Sequence, residues 1–264
     1  MRLAIFTSNA LRHKYLANTL SALAQNCMVV VEVKPGDAVE AKPDSGFLDS
    51  HFAGRYIEET SFFGVHAMLR PRSLPLIHGE VNSKQVLDAI DEFRPDIAVV
   101  FGSSIIREPL LSRIPSGRFI NLHLGLSPYY RGSGTNFWPF VNRELHYVGA
   151  TLLHIDAGID TGDIIAHVRP EFAPGDTVHS AGCKTIREGV GAIAECLRIL
   201  AGGRQLPRVA QWNSAEGGRY YRKKDVTEAV LLEYQRNIGA GVVTDYLEAG
   251  SPPVRLVTLA RGGY

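Results

Sequence analysis

The sequence has few cysteines and almost no net charge. Its 264 residues include three cysteines, Cys27, Cys183 and Cys196, and carry a formal net charge of +1. The cysteines are isolated and show neither a C-x-x-C pair nor a zinc-ligand spacing, which argues against a disulfide framework and a zinc site. A charge so close to zero gives no bulk attraction to nucleic acid or to a membrane surface, so we predict neither as a partner.

Long hydrophobic runs are also missing. The N-terminal apolar run ends by Phe6, which is too short for the core of a signal peptide, and polar residues follow it. No internal repeat and no low-complexity tract stands out. The expected location is the reducing cytoplasm.

Short apolar runs instead alternate with segments of helical spacing. Strands are predicted at RLAIFTS (2–8), CMVVVEV (27–33), LPLIHGE (74–80), DIAVVFG (96–102) and FINLHLG (119–125), and CMVVVEV is expected to be buried. Helical spacing fills the stretch after the first strand, the segment HFAGRYIEETSFFG, the segment SKQVLDAIDEFR behind a Ser83 N-cap, and the short REPLLSR. The fold class is therefore α/β, a Rossmann-like doubly wound, mostly parallel sheet. No G-x-G-x-x-G follows the first strand, which argues against a dinucleotide oxidoreductase.

The pattern changes in the second half of the chain. Two extended segments around the bend at GIDTG predict antiparallel strands, and a long helix follows from Thr177 to Ala201. We predict a catalytic domain over residues 1–203 and a small C-terminal appendage over residues 204–264. The apolar segment AVLLEYQRNI has two open readings, a homodimer contact or a helix that docks internally.

Two polar groups interrupt this apolar pattern. Asn121 and His123 alternate along one strand and so share a face near its carboxyl end, where open α/β sheets bind ligands. Taken alone, they are equally a polar pair that ties down the next loop. The bend HIDAGIDTGDII carries Asp156, Asp160 and Asp163, which also suit an ordinary turn. Their spacing lacks the length and closing Glu of a calcium loop, and no metal is expected.

Together, N-x-H, a loop ending in YRG and the D-x-G-x-D-T-G bend resemble the formyltransferases that use 10-formyltetrahydrofolate, over residues 75 to 200. The resemblance implies a catalytic triad of Asn121, His123 and Asp160. Asn121 would stabilise the oxyanion, His123 would act as base or as electrophile, and Asp160 would orient His123. It also implies a pterin slot at Ser104, Ile105, Ile106 and Asp156, although the two isoleucines equally suit core packing. No metal is needed.

The acceptor is predicted from other segments. TNFWPF resembles enzymes that formylate nucleotide-linked amino sugars, such as 4-amino-4,6-dideoxy sugars of surface polysaccharide and lipopolysaccharide O-antigen, whereas HLGLSP departs from the family's usual loop. Free N–H groups at the first strand-to-helix junction suit phosphates, although the residues there equally suit a plain helix cap. The predicted substrate contacts are Ser8, Asn9, Arg12, His13, Tyr130, Arg131 and Trp138; Trp138 equally suits core packing.

Three alternatives stay open. The chain could formylate methionyl-tRNA or glycinamide ribonucleotide, or it could bind folate without catalysis. The basic cluster Arg219, Arg222, Lys223 and Lys224 is either a phosphate-binding patch or a solvated face. The NFW segment argues against methionyl-tRNA and glycinamide ribonucleotide as acceptors. The presence of all three triad residues argues against a protein that binds folate without catalysis.

Overall fold

A seven-stranded sheet organises the chain. The computed structural model describes residues 1–34, 47–213 and 218–259. The strands lie in the order β3-β2-β1-β4-β5-β7-β8. The first five pair in parallel, whereas β7 is antiparallel to β5 and β8 is antiparallel to β7. The bounds are β1 Arg2–Ser8, β2 Asn26–Val33, β3 Ser73–Ile77, β4 Ile97–Phe101, β5 Phe119–His123, β7 Ala150–His154 and β8 Ile164–Val168. The predicted doubly wound, mostly parallel sheet is confirmed.

The central strands are apolar throughout because both faces of the sheet are covered. In β1, Leu3 and Ile5 pack into one core and Ala4 and Phe6 into the other, as the alternation of side chains along a strand requires. Burying each such side chain stabilises the fold by about 1.5–3 kcal/mol. The sheet is thus a rigid platform for the residues at its edges.

Helices lie on both faces. α1 and α5 cover one face and α3 covers the other. α5 approaches β5 closely, since a Cβ on Gly189 would lie 2.7 Å from Leu122 Cδ1. Thr177 caps α5 by accepting hydrogen bonds from the backbone N–H groups of His179 and Ser180. The bounds are α1 Leu11–Ser21, α2 Phe47–Phe63, α3 Lys84–Phe93, α4 Trp138–Val141, α5 Val178–Ala201, α6 Glu228–Gly239 and α7 Val242–Ala249.

Two local predictions need correction. Ser83 occupies the N-cap position of α3, but its hydroxyl makes no capping hydrogen bond. The segment REPLLSR holds only a turn and a 3₁₀ helix, Leu111–Arg113. The sequence also predicts a turn at Pro35-Gly36 after the second strand, and this position lies outside the described residues.

The C-terminal residues pack on the loop that follows β5. Strand β9, Arg219–Tyr221, pairs in parallel with β6, Tyr130–Gly132. The apolar segment AVLLEYQRNI lies in α6, where Leu231 and Tyr234 are buried and Asn237 donates to the carbonyls of Phe140 and Val141. This is the internal docking that the sequence left open; the division of the chain at residue 203 stays a prediction. Among the described helices, none has the length and hydropathy needed to cross a bilayer.

Candidate active site

A carboxylate joins the two polar residues of β5. Asn121 Nδ2 donates to Asp160 Oδ1 at 2.7 Å, and His123 Nδ1 lies 3.2 Å from Asp160 Oδ2. Leu122, between them, points to the opposite face and packs in the core under α5. The alternation of the strand therefore aims both polar side chains at the bend between β7 and β8, and the structure brings together the three residues of the predicted triad.

The bend that carries Asp160 has an unusual backbone. Asp160 has a φ of 53°, in the left-handed region that non-glycine residues seldom adopt. At Gly162 a Cβ would lie 1.7 Å from the carbonyl oxygen of His154, so only glycine fits. The carboxylate of Asp156 accepts hydrogen bonds from the Gly158 N–H at 3.0 Å and the Thr161 hydroxyl at 2.8 Å. Asp156 thus closes the turn that presents Asp160.

The electrostatics of the triad favour a charged Asp160. Burial raises its pKa, but the hydrogen bond and charge of His123 and the hydrogen bond from Asn121 outweigh burial, so the net pKa is lowered. His123 is 9% exposed, and its Nε2 has no hydrogen-bond partner among the described residues. A Cβ on Gly125 would lie 2.9 Å from that Nε2, so glycine leaves room beside the ring. Buried polar atoms are usually paired, and an unpaired one is a candidate for ligand contact.

A cavity of about 760 Å³ opens at the carboxyl ends of β1, β4 and β5 and includes the triad. One wall holds the four residues predicted for the pterin slot, Ser104, Ile105, Ile106 and Asp156. Ile105 and Ile159 are 42% and 67% exposed, which gives this wall apolar surface for a flat ring. Ile106 is 6% exposed and also packs in the core, as the alternative reading expected.

Sequence reasoning missed the acid that shapes this wall. Glu32, at the end of β2, is fully buried. It accepts hydrogen bonds from the backbone N–H groups of Gly79 at 2.7 Å and Ser104 at 2.5 Å, and His78 Nδ1 lies 3.7 Å away. Glu32 therefore joins the turn after β3 to the loop after β4.

The first strand-to-helix junction forms the opposite wall, with Ser8, Arg12 and His13 in the lining. Ser8 Oγ and His13 Nδ1 share a hydrogen bond. Burial lowers the pKa of His13 well below its ordinary value, and the nearby positive charges of Arg12, Lys34 and Arg55 add to this, so His13 is neutral.

Asn9 lies outside this lining because its Oδ1 accepts a hydrogen bond from the Lys34 N–H at 3.0 Å.

Like Asn9, three further predicted substrate contacts lie outside the lining of this cavity. Tyr130 is 1% exposed and its hydroxyl hydrogen-bonds with Glu144 and Asn142. Trp138 is 4% exposed, stacks on Tyr221 at 3.9 Å between ring centroids, and donates its indole N–H to the Ser133 carbonyl. This matches the alternative reading of Trp138 as core. Arg131 is exposed on the loop.

A second cavity of about 860 Å³ adjoins the first, and both are lined by Arg12, Leu124, Ser133, Gly134 and Phe137. Five residues that line this cavity and not the first come from α2, and no sequence motif had pointed to them. They are a histidine, two aromatic residues, an arginine and an acid, namely His51, Phe52, Tyr56, Arg55 and Glu59, with Lys223 from the C-terminal residues.

This second cavity combines cations with neutral histidines. Arg12 Nη1 lies 2.6 Å and Arg55 Nε 3.6 Å from Glu59 Oε1. The ring centroids of His51 and His179 are 4.5 Å apart. Burial and, to a lesser degree, the charge of Arg55 lower the pKa of His51 to about 4. Burial, followed by the charges of His51 and Arg55, lowers the pKa of His179 to about 3. One acid against three cations leaves the cavity suited to an anion.

The basic cluster near the C-terminus is divided between structural and cavity positions. Arg219 Nη2 lies 2.6 Å from Glu144 Oε1, and Lys223 lines the second cavity. In the described part of the chain, no group of three or more His, Cys, Asp or Glu residues is arranged to hold a metal ion.

Fold and site together define a Rossmann-like α/β protein with an Asn–His–Asp triad beside a large cleft. A family model described as "Formyl transferase" matches residues 54–197, and the chain belongs to this family.

Comparisons with individual proteins add detail. A methionyl-tRNA formyltransferase of Desulforamulus reducens is 32% identical over 133 residues, 50% of this chain and 39% of that protein. This chain therefore matches less than half the length of that relative. The structure of a 4-N formyltransferase of Francisella tularensis matches with a TM-score of 0.56 and 18% identity, over 89% of this chain and 87% of that one.

A third similar protein is the formyltransferase PseJ of Anoxybacillus kamchatkensis. It was solved with UDP-4,6-dideoxy-4-formamido-L-AltNAc and tetrahydrofolate. Its TM-score is 0.51 at 18% identity, over 91% of this chain and 100% of that chain. At this level of identity, the likeness of both structures concerns the fold.

Proposed function

We propose that this chain transfers the formyl group of 10-formyltetrahydrofolate to the primary amine of a nucleotide-linked amino sugar. The observation that carries the proposal is the carboxylate of Asp160, which holds Asn121 and His123 together at the wall of a large cleft. Direct transfer of the formyl group needs no covalent enzyme intermediate. An amide donor beside an imidazole–carboxylate pair suits direct acyl transfer to an amine.

Each member of the triad has one task. Asn121 has two amide hydrogens, and one goes to Asp160, so the second donates to the formyl oxygen as that oxygen gains charge. A preorganised donor of this kind lowers the barrier by about 3 kcal/mol. His123 accepts the proton that the amine loses when it bonds to the formyl carbon, and it returns a proton to N10 of the folate as that bond breaks. Asp160 stabilises the imidazolium in between.

The first cavity suits the folate. Its wall at residues 104–106 and 155–162 is partly apolar and lined by backbone, as a pterin needs for stacking and hydrogen bonding. One similar structure supports a folate cosubstrate, since PseJ was solved with tetrahydrofolate.

The second cavity suits a nucleoside diphosphate. Arg12, Arg55 and Lys223 supply cations for phosphates, and Phe52 and Tyr56 supply aromatic surface for a base. A sugar bound between the two cavities would place its amine at the triad. The Anoxybacillus kamchatkensis enzyme supports this acceptor class, since it matches over its whole length and was solved with UDP-4,6-dideoxy-4-formamido-L-AltNAc.

A second candidate acceptor is methionyl-tRNA, favoured by the identity of 32% to the Desulforamulus reducens enzyme. That similarity is confined to half of this chain, however. The pairing of Arg219 with Glu144 also removes one cation from the basic cluster that would track phosphates.

The test is a formyl-transfer assay with 10-formyltetrahydrofolate and three kinds of acceptor. The acceptors are a panel of dTDP- and UDP-linked 3-amino and 4-amino sugars, methionyl-tRNA and glycinamide ribonucleotide. His123→Asn should abolish transfer, whereas His66→Asn, outside both cavities, should leave it intact. Transfer to a sugar supports the proposal. Transfer to methionyl-tRNA with no sugar reacting would favour the second candidate, and no transfer to any amine would refute both.

A further inference from the structure

The first part of the connection between α5 and β9, residues 202–213, runs along the bend that carries Asp160. Val209 and Ile164 exchange backbone hydrogen bonds at 2.7 and 3.0 Å, and Arg208 Nη1 lies 3.0 Å from Asp163 Oδ2. Two residues after Val209, Gln211 Nε2 lies 2.7 Å from the carbonyl oxygen of Asp160 and 3.0 Å from that of Gly162. Both donors of one side-chain amide are thus used on the backbone of the bend.

The bend needs such support. Gly158, Ile159 and Thr161 are exposed, so little packing holds this segment. A left-handed aspartate costs about 1 kcal/mol relative to ordinary backbone, and it persists only where its surroundings fix it. Asp156 fixes the start of the bend from within. Gln211 fixes Asp160 itself and the residue two places on.

The residue after Gln211 is held by the C-terminal segment. The guanidinium of Arg255 lies 4.1 Å from the ring centroid of Trp212, a cation–π contact. The C-terminal segment is itself fixed, because the Val257 N–H donates to His167 Nδ1 at 2.9 Å and the Tyr129 hydroxyl donates to the Arg255 carbonyl at 3.0 Å. Trp212 therefore cannot move freely away from the sheet, and neither can Gln211.

We propose that Gln211 is a positioning residue for Asp160, and that Trp212 and Arg255 hold it in place. Gln211, which follows α5 in the chain, would then support the active site by holding the backbone of the bend and not by taking part in the reaction. The kinetic part of this inference rests on the proposed function. Its structural part, the ordering of the bend by Gln211, does not.

The first test is hydrogen–deuterium exchange of the full chain without substrate. Gln211→Met keeps the length of the side chain and removes its donors. Amides in residues 158–162 should exchange at least several-fold faster in this variant than in the wild type. The matched control is Gln205→Met, because Gln205 lies exposed in the same connection and should leave exchange in the bend unchanged. Unchanged exchange in Gln211→Met would overturn the inference.

The second test is steady-state kinetics with the acceptor that the formyl-transfer assay identifies. Gln211→Met should lower kcat by about 10- to 100-fold, because small displacements of a catalytic group are costly, with KM for the acceptor changing by less than about threefold. Gln211→Lys, which keeps a donor at similar reach, should recover part of kcat. Arg255→Ala should lower kcat less than Gln211→Met.

The two proposals can fail separately. Faster exchange in the bend, with no formyl transfer by the wild type, removes the proposed function and leaves the ordering role of Gln211. An active wild type in which Gln211→Met keeps full kcat overturns the positioning role. A fall in kcat that Gln211→Lys does not relieve at all would also overturn it, because the loss would not come from the missing donor.

Discussion

Replacing Asp160 by asparagine tests the triad most directly. The carboxylate accepts from Asn121 at 2.7 Å on one oxygen and faces His123 Nδ1 at 3.2 Å with the other. An asparagine has one oxygen, so it can serve only one of these two donors and must turn its NH₂ group toward the other. The substitution therefore removes one hydrogen bond, inserts a clash of two donors and deletes the charge that stabilises the imidazolium.

The size of the effect follows from these contacts. A hydrogen bond to a charged group is worth about 1.5–3 kcal/mol, and loss of the counter-charge to a partly buried imidazolium costs a similar amount. A total near 4 kcal/mol corresponds to about a 10³-fold fall in kcat. The KM of the acceptor should change much less, because the loss concerns the transition state.

The assay is the initial rate of conversion of 10-formyltetrahydrofolate to tetrahydrofolate, followed by ultraviolet absorbance at saturating acceptor. Asp163→Asn is the matched control, since Asp163 lies in the same bend and pairs with Arg208 at the surface. The control should keep kcat within about threefold, as expected for loss of an exposed ion pair. If Asp160→Asn is folded and loses less than about tenfold in kcat, the triad reasoning is wrong.

Two further predictions concern binding and stability. Glu32→Gln leaves one of two backbone N–H groups facing an amide donor, so KM for 10-formyltetrahydrofolate should rise about tenfold with kcat little changed. Glu80→Gln, in the neighbouring exposed turn, is the control. An unchanged KM in Glu32→Gln would contradict the role of Glu32 in shaping the cavity wall. Burial lowers the pKa of His167 from 6.5 to about 4, despite the opposing hydrogen bond to the Ser127 carbonyl. The unfolded state therefore binds a proton first, and the free energy of unfolding should fall as pH drops from 6.5 to 4. Denaturant unfolding should show a shallower decline in His167→Gln, and an equal slope would refute this.

The strands and the polar pair on β5 could be predicted from local periodicity, whereas the triad was predicted from the resemblance of the N-x-H and D-x-G-x-D-T-G motifs to the formyltransferases. An apolar run such as IAVVF is stable only as a strand inside a sheet that is covered on both faces. Asn121 and His123 are recognisable because they are polar residues in a strand that is otherwise apolar. The long helix predicted from Thr177 to Ala201 is present from Val178 to Ala201. These signals lie within single elements.

The rest depends on contacts between elements far apart in the chain. Glu32 is an ordinary acid in the sequence and becomes a buried brace only because the loops after β3 and β4 meet at it. The second cavity takes its character from α2, whose segment carries no motif. Tyr130 and Trp138 were predicted to contact a sugar. In the structure the Tyr130 hydroxyl hydrogen-bonds with Glu144, and the Trp138 ring stacks on Tyr221.

The triad joins two parts of the chain that are held in different ways, and this separates stability from activity. Asn121 and His123 stand on β5, where Ile120 is fully buried and Leu122 is 3% exposed, so this half cannot move without disrupting the core. Asp160, 39 residues from Asn121, stands on an exposed bend held by side-chain hydrogen bonds from Thr161 and Gln211. Changes under β5 should therefore lower stability and activity together. Changes at the supports of the bend should lower kcat while the free energy of unfolding stays nearly constant, because the exposed bend contributes little to it.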